Sequence, residues 1–341
     1  GLGCSMLLRH TAAHFARAPR FVRCNQTQVR SEPVGLVGLG KMGRAMAKNF
    51  LNSGVPVIAY DVSQDAVKEV ASMGAKAAPS PREVAQQTDT VITMVPNDAV
   101  VHEVVHDPHT GLLAGLPSRG IHVSCSTISP QASRALSKAH EAAGQRYVAS
   151  PIFARPDGVE NRTGTFLLAG DQEAVGEVLP LLKLTVSDTY NFGDDPGAAN
   201  VVKLCGNFLI AASIESMAEA LALAEANGVD RTHVMDMLSS TIFDCLIYKG
   251  YGHRVSRRDH RAGGFSLDLG YKDVSLVSSC ADTVKAPMPV ASLLKDRFMA
   301  AVAKGRSDLD WSALGLTASE EAGVDVGPAI DAARKGQLPE L

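Results

Sequence analysis

The sequence predicts an α/β chain: a doubly wound parallel sheet followed by an all-helical C-terminal domain, the two joined by a long interdomain helix. Three observations carry this reading. Short apolar runs alternate with helical periodicity from Val34 to Ala143, the pattern of parallel strands with helices on both faces. A glycine-rich turn follows the first of those runs and opens the first helix. From about Ala198 to Ala226 the chain is helical without a break and apolar on most faces (Val201, Leu204, Phe208, Ile214, Met217, Leu221). At 1.5 Å per residue that run spans about 43 Å, and it is expected to be the buried spine of a second domain. At roughly 150 residues per domain, a chain of 341 residues holds two.

The elements follow in order. Residues 1–32 are set apart as a presequence or disordered segment. Glu32 is the first acidic residue, and Arg9, Arg17, Arg20, Arg23 and Arg30 precede it among Ser, Thr, Ala and spaced apolar residues. A basic, acid-free, amphipathic leader is the pattern of a mitochondrial presequence, so the matrix is the expected address. The alternative is a disordered basic tail on a cytoplasmic protein. The sequence opens on Gly1 rather than Met, and Met6 is a candidate start.

A dinucleotide-binding domain is expected over 33–196. Val34–Val37 reads as a buried strand, and the helix after it ends at Gly54. Val55–Tyr60 is the second strand, closed by Asp61. Asp65–Met73 and Pro81–Gln87 read as helices, and Ala75–Ala78 as a short strand between them. Thr90–Val95 and Ile121–Ser124 are further strands, and Gln131–Ala143 is a helix. Gln172–Leu182 and Thr185–Tyr190 form one more α/β unit. The helical domain is expected over 197–326, with helices at Thr232–Leu238, Lys272–Ala281 and Ala291–Ala303; the stretch from Lys249 to Gly263, rich in Arg, His and Gly, reads as a solvated loop, with a mobile segment that helps close the cleft as the alternative. Residues 327–341 mix Gly, Pro and charge and read as a tail.

Composition excludes several classes. Lys plus Arg is 33 against 36 for Asp plus Glu, a net charge of −3, which argues against a protein that holds nucleic acid through surface charge. Six cysteines show no C-x-x-C spacing, so neither a zinc site nor a disulfide framework is expected. The apolar run near Phe208–Ala224 carries Glu215 and Glu219, so it is not read as membrane-spanning. His253 and His260 have no metal-like partner, and no metal is expected.

The chemistry begins at Gly38-Leu39-Gly40-Lys41-Met42-Gly43, the G-x-G-x-x-G string between a strand and a helix. The first glycine permits the turn, the second lets a pyrophosphate approach the backbone, and the third lets helix pack on strand. The helix N-terminus offers N–H groups and positive dipole to the phosphates. Asp61, 18 residues past Gly43, stands where a carboxylate accepts hydrogen bonds from an adenosine ribose and repels a 2′-phosphate. NAD is therefore the expected cofactor, with NADP possible in its place. Val95, Pro96 and Asn97 after one strand, and Ser126 and Thr127 after another, lie at carboxyl ends, where ligands of such sheets sit. Turn and cap chemistry is the competing explanation for the Asn, Ser and Thr.

Lys203 and Asn207 stand four apart on the long helix, hence on one face. A lysine desolvated in an apolar setting has its pKa lowered toward neutrality and becomes a general acid/base. Asn207 can hold a substrate oxygen or the amine. The competing explanation is a lysine snorkelling from a helix end.

These residues carry a resemblance. Gly35-Leu36-Val37-Gly38-Leu39-Gly40-Lys41-Met42-Gly43, Ile92-Thr93-Met94-Val95-Pro96, Ser126-Thr127-Ile128-Ser129-Pro130 and the stretch Gly197 to Asn207 resemble segments of the β-hydroxyacid dehydrogenase family. That group contains 3-hydroxyisobutyrate dehydrogenase and semialdehyde reductases, and its relatives include 6-phosphogluconate dehydrogenase and imine reductases. The resemblance covers about residues 33–325. It implies that Lys203 is the proton donor, that Asn207 holds substrate, and that Phe265 and Lys272, the latter in Lys272-Asp273, belong to a cofactor-contacting segment. It implies a small hydroxy acid or semialdehyde as the partner.

The departure is at the substrate motif. Where the family reads D-A-P-V-S-G-G, this chain has Ala149-Ser150-Pro151-Ile152-Phe153-Ala154-Arg155. Backbone N–H groups at Ala154 and Arg155 are expected to cradle an anion, and the Arg155 guanidinium to pair with a carboxylate; the competing explanation for Arg155 is a surface arginine capping the following loop. The alternative functions are an NADPH-dependent semialdehyde or imine reductase and, from another class, a non-catalytic dinucleotide-binding module. A homodimer or homotetramer is expected, because the helical segment holds more apolar surface than one layer buries.

Overall fold

A computed structural model describes residues 32–339. The basic leader lies outside those residues except for Glu32. The first half runs β1 (Val34–Val37), α1 (Lys41–Asn52), β2 (Val57–Tyr60), α2 (Gln64–Ser72), β3 (Lys76–Ala77), α3 (Pro81–Ala85), β4 (Thr90–Thr93), α4 (Asp98–His106), β5 (Ile121–Ser124), α5 (Pro130–Ala142), β6 (Arg146–Ala149), β7 (Ile152–Phe153), α6 (Pro156–Glu160), β8 (Thr165–Gly170), α7 (Gln172–Leu182) and β9 (Asp188–Asn191). The sheet order is β3-β2-β1-β4-β5-β6-β8-β7, with β9 beside β8. From β3 to β6 every pairing is parallel, and the order reverses between β1 and β4. Strands β1, β4 and β5 are buried along their whole length, as strands covered on both faces must be.

The sheet departs from the wholly parallel expectation at one edge. β8 runs antiparallel to β6, pairing Val148 with Gly170, and antiparallel to β7, pairing Ile152 with Phe166. A parallel return needs a crossover of a dozen residues or more, and the connection between β7 and β8 is shorter than that. Helix starts are set by side chains accepting N–H bonds. Ser63 caps α2, Ser80 α3, Asn97 α4, Ser129 α5 and Asp171 α7.

The second half is helical: α8 (Gly197–Ala226), α9 (Arg231–Ser240), α10 (His253–Ser256), α11 (Leu267–Val284), α12 (Pro289–Ala303), α13 (Leu316–Glu321) and α14 (Gly327–Arg334), with a 3-10 turn at Trp311–Gly315. α8 is the spine. Ile214, Met217 and Leu221 sit in one core with Leu267, Leu294, Phe298 and Trp311. Its length and apolar character alone would also suit a membrane-crossing helix, but here those side chains are packed against protein.

Two expectations are corrected. Residues 327–341 are not simply a tail, because α14 buries Ala329 and Ala333, four apart, and Pro328 at its start is a helix-opening residue rather than a breaker. The segment from Lys249 to Gly263 is not a solvated loop. It forms a π-helical turn (Tyr248–Gly252) and α10, and it buries Gly252, Val255 and His260. Tyr251 packs edge-on against Trp311, and a side chain on Gly252 would strike Met235, so this segment closes the helical core.

Candidate active site

The glycine turn divides its three glycines by physical role. Gly38 has φ +98°, and a Cβ there would lie 2.3 Å from the Met94 carbonyl oxygen. A Cβ on Gly43 would lie 2.0 Å from the Gly38 oxygen. These two are fixed by the approach of protein backbone. A Cβ on Gly40 would meet nothing within 4 Å, and no side chain caps the first turn of α1 that it opens. The gap is therefore open at the glycine meant for a ligand, and the N–H groups of Lys41 and Met42 face no capping side chain. This arrangement fits the pyrophosphate of a dinucleotide. Leu39 is wholly buried, and its N–H donates to Asp61 Oδ2 at 2.6 Å, while Ser63 N–H donates to Asp61 Oδ1 at 2.7 Å. Asp61 thus ties the turn to the end of β2, with acceptor capacity remaining on both oxygens.

The ends of β4 and β5 lie beside that turn. Met94 N–H donates to the Val37 oxygen at 2.9 Å. Val95 N–H donates to Ser126 Oγ at 2.8 Å, so Ser126 is buried and fastens the two strand ends together. Asn97 caps α4 through Val100 N–H, the structural role weighed for it. Lys272, on α11, reaches across from the helical domain. Its Nζ donates to the Thr127 oxygen at 2.8 Å and the Pro96 oxygen at 3.1 Å, and lies 2.9 Å from Asp273 Oδ1.

Asp273 connects this clamp to the lysine of α8. Asn207 Nδ2 donates to Asp273 Oδ2 at 2.5 Å, and Lys203 Nζ donates to Asn207 Oδ1 at 3.0 Å. Lys203 is 7% exposed, Asn207 4% and Asp273 0%. Burial pushes the Lys203 ammonium down to about 8, with the nearby Asp273 carboxylate opposing that shift and Lys272 adding to it. Lys203 therefore does not snorkel into solvent. The face of Phe153 covers it, with Nζ 4.3 Å from the ring centroid.

Arg155, expected to pair with a substrate carboxylate, has a carboxylate partner within the protein. Its Nη1 donates to Asp310 Oδ2 at 3.1 Å and to the Tyr251 hydroxyl at 3.4 Å, and the guanidinium lies over Gly264, where a Cβ would overlap it. Asp310 is completely buried and opens the 3-10 turn at Trp311, so the partner of Arg155 is already inside the protein. Ala154 packs against the core under the sheet. The N–H of Arg155 opens α6, a helix of only five residues. Phe265 stacks edge-on against Trp311 at 4.9 Å, in the core of the helical domain.

The predicted residues thus form one chain of contacts: Lys203, Asn207, Asp273, Lys272, then Pro96 and Thr127. The glycine turn is adjacent through β1 and β4. Asp310 and Tyr251 were not foreseen. Their only sequence signal is Gly264, whose lack of a side chain makes room for Arg155. Among the described residues, no cluster of His, Cys, Asp or Glu is suited to a metal ion.

Known proteins match both halves. Residues 33–193 match the model for the NAD-binding domain of 6-phosphogluconate dehydrogenase, and residues 197–318 that for the NAD-binding domain of NADP-dependent 3-hydroxyisobutyrate dehydrogenase. An uncharacterised oxidoreductase of Bacillus subtilis is 34% identical over 82% of this chain and 98% of its own. The mitochondrial 3-hydroxyisobutyrate dehydrogenase of Mus musculus is 31% identical over 85% of this chain and 88% of its own. The crystal structure of 3-hydroxyisobutyrate dehydrogenase from Salmonella typhimurium superposes with a TM-score of 0.76 at 27% identity, covering 84% of this chain and 99% of that one. The chain belongs to the β-hydroxyacid dehydrogenase family typified by 3-hydroxyisobutyrate dehydrogenase, whose members are NAD(P)-dependent oxidoreductases.

Proposed function

We propose that the protein interconverts a small alcohol and its carbonyl compound by hydride transfer, with Lys203 as the general acid/base. The observation that carries this is the buried Lys203, hydrogen-bonded to Asn207 and lowered to about 8. Gly40, the uncapped first turn of α1 and Asp61 would hold a nicotinamide dinucleotide, which when bound would supply or accept the hydride. Lys203 does the proton work. In oxidation the neutral amine takes the hydroxyl proton, and in reduction the ammonium returns it to the carbonyl oxygen. Asn207 accepts one ammonium hydrogen and fixes the direction of the others. Asp273 orients Asn207, and Lys272 holds Asp273 while fastening the helical domain to the ends of β4 and β5. Proton transfer and cofactor site are thereby held in one frame.

The names of the relatives support a hydroxy acid and its semialdehyde as the substrate pair. Asp61 favours NAD over NADP, through repulsion of a 2′-phosphate. Exposed apolar side chains, Leu209 and Leu223 on α8 with Ile242 and Leu246 beyond α9, support assembly into at least a dimer. The basic leader supports the mitochondrial matrix as the address. The test is titration with NADH and NADPH followed by assay against small hydroxy acids, semialdehydes and cyclic imines, with light scattering for the subunit count. Tight NADH binding with turnover of a CH–OH substrate is expected. Binding of NADH without turnover of any compound would leave only a dinucleotide-binding module.

A further inference from the structure

Arg155 is held at one end and open at the other. Its Nη1 donates to the buried Asp310 carboxylate and to the Tyr251 hydroxyl. Gly264 makes the room, since a Cβ there would overlap Nη2. Nε and Nη2 donate to no described residue, and both remain open to solvent. The exposed Asp157 comes no nearer to Nε than 4.0 Å, beyond hydrogen-bond reach. A guanidinium is a rigid fork of donors, and its Nε–Nη2 edge alone can hold a carboxylate through two parallel hydrogen bonds.

That edge lies on the same side of the loop as Lys203. β7 ends at Phe153, and the backbone is still extended at Arg155, with φ −91° and ψ 168°. Residues two apart on an extended chain point the same way. Both side chains accordingly reach the helical domain. The Phe153 ring fills the space left by Gly206 and lies 4.3 Å from Lys203 Nζ, while Arg155 meets Asp310. At about 3.3 Å per residue, the two side chains leave the backbone about 7 Å apart. A small hydroxy acid with a hydrogen bond at each end bridges such a gap.

The ammonium groups nearby have other work. Lys272 faces three oxygens, those of Pro96, Thr127 and Asp273, as many as an ammonium has hydrogens. Lys203 gives one hydrogen to Asn207 and, in the reaction proposed above, meets the oxygen on the reacting carbon. The open edge of Arg155 is left for the other end of the substrate. Asp310 and Tyr251 occupy only Nη1, and they fix the fork before a ligand arrives, so less side-chain freedom is lost on binding.

We propose that Nε and Nη2 of Arg155 bind the substrate carboxylate side-on, at a position where the family's motif has glycine. This rests on the oxidoreductase reading above and assigns the side chain that recognises the acid.

The test compares succinic semialdehyde with butanal, in which a methyl group takes the place of the carboxylate. Calorimetric titration of butyrate and butyramide into the protein with NADH serves as a readout free of turnover. Wild type is expected to favour succinic semialdehyde in kcat/KM, and butyrate in affinity, by about tenfold or more. Arg155→Gln combined with Asp310→Asn removes both charges and leaves no buried ion unpaired. It should lower both ratios by about tenfold, through KM for succinic semialdehyde rather than kcat. Arg155→Lys keeps a charge beside Asp310 but has no second edge, and should lower the ratios by about threefold or more. Wild-type preference for the uncharged compounds, or ratios that the variants leave unchanged, overturns the proposal. If neither aldehyde is turned over, the oxidoreductase reading fails for these substrates and the calorimetric ratio decides alone. A preference for butyrate that the variants erase supports the role of Arg155, and its absence or persistence overturns it.

Discussion

Arg155 of the sheet domain and Asp310 of the helical domain meet 3.1 Å apart, and the Asp310 side chain has no solvent exposure. A carboxylate so placed depends on its partner. Arg155→Ala leaves it charged and unpaired, or forces it to take up a proton. The expected loss is about 1–3 kcal/mol, since Ser312 N–H still donates to Oδ1 and the guanidinium is itself partly exposed. Urea denaturation measures it, and Arg155→Lys should recover part of the loss. An unchanged midpoint would show that the pair contributes nothing.

The glycine turn yields a contrast between two substitutions three positions apart. Gly40→Ala adds a methyl group to open space at φ −58°, so stability should change by no more than about 0.5 kcal/mol. Dinucleotide affinity should fall by about tenfold or more, because that methyl stands where the pyrophosphate approaches. Gly43→Ala drives a methyl into the Gly38 carbonyl and should cost about 3 kcal/mol or more. Thermal melts and NADH fluorescence titrations separate the two outcomes.

Proton transfer through Lys203 sets the pH dependence of each direction. With the ammonium lowered to about 8, oxidation needs the neutral amine and should rise with pH through about 8. Reduction needs the ammonium and should fall over the same range. Profiles of kcat/KM in both directions check this. Two profiles that move together would place the titrating group elsewhere.

Acid should unfold the protein through its buried histidines. His122 Nδ1 and His140 Nε2 share a hydrogen bond of 2.9 Å inside the sheet domain, and His140 Nδ1 lies 2.8 Å from Gln145 Oε1. Burial pushes His140 down to about 4 and His260, beside Ser312, down to about 3. Both values lie below the ordinary 6.5, so the unfolded chain takes up protons first as pH falls. The stability these groups contribute is complete above pH 6.5 and declines below it, by about 2 kcal/mol per histidine at pH 5. Denaturation at pH 7.5 and 5 measures the decline, and His140→Gln should reduce it.

Much of this architecture is legible in the sequence because its signals are local. Strand–glycine–helix order around Gly38 and the four-residue spacing of Lys203 and Asn207 depend on neighbours along the chain. What was misread depends on distant contacts. The polar stretch 249–263 looks solvated until Tyr251 is seen against Trp311, and the Asp310 that meets Arg155 stands 155 residues away. Gly206 gives the same lesson, since its reason is the ring of Phe153, more than fifty positions earlier. The tail reading of 327–341 failed for a smaller reason. Ala329 and Ala333 are too modest a pattern to reveal a buried face without the core they pack on.

The central claim is that Lys203 moves the proton, and the most direct measurement is steady-state turnover of Lys203→Ala beside NADH titration of the same variant. The expected result is a fall in kcat of about 100-fold or more, with NADH affinity within about threefold of wild type. Turnover within a few-fold of wild type would contradict the claim and return the proton to another group.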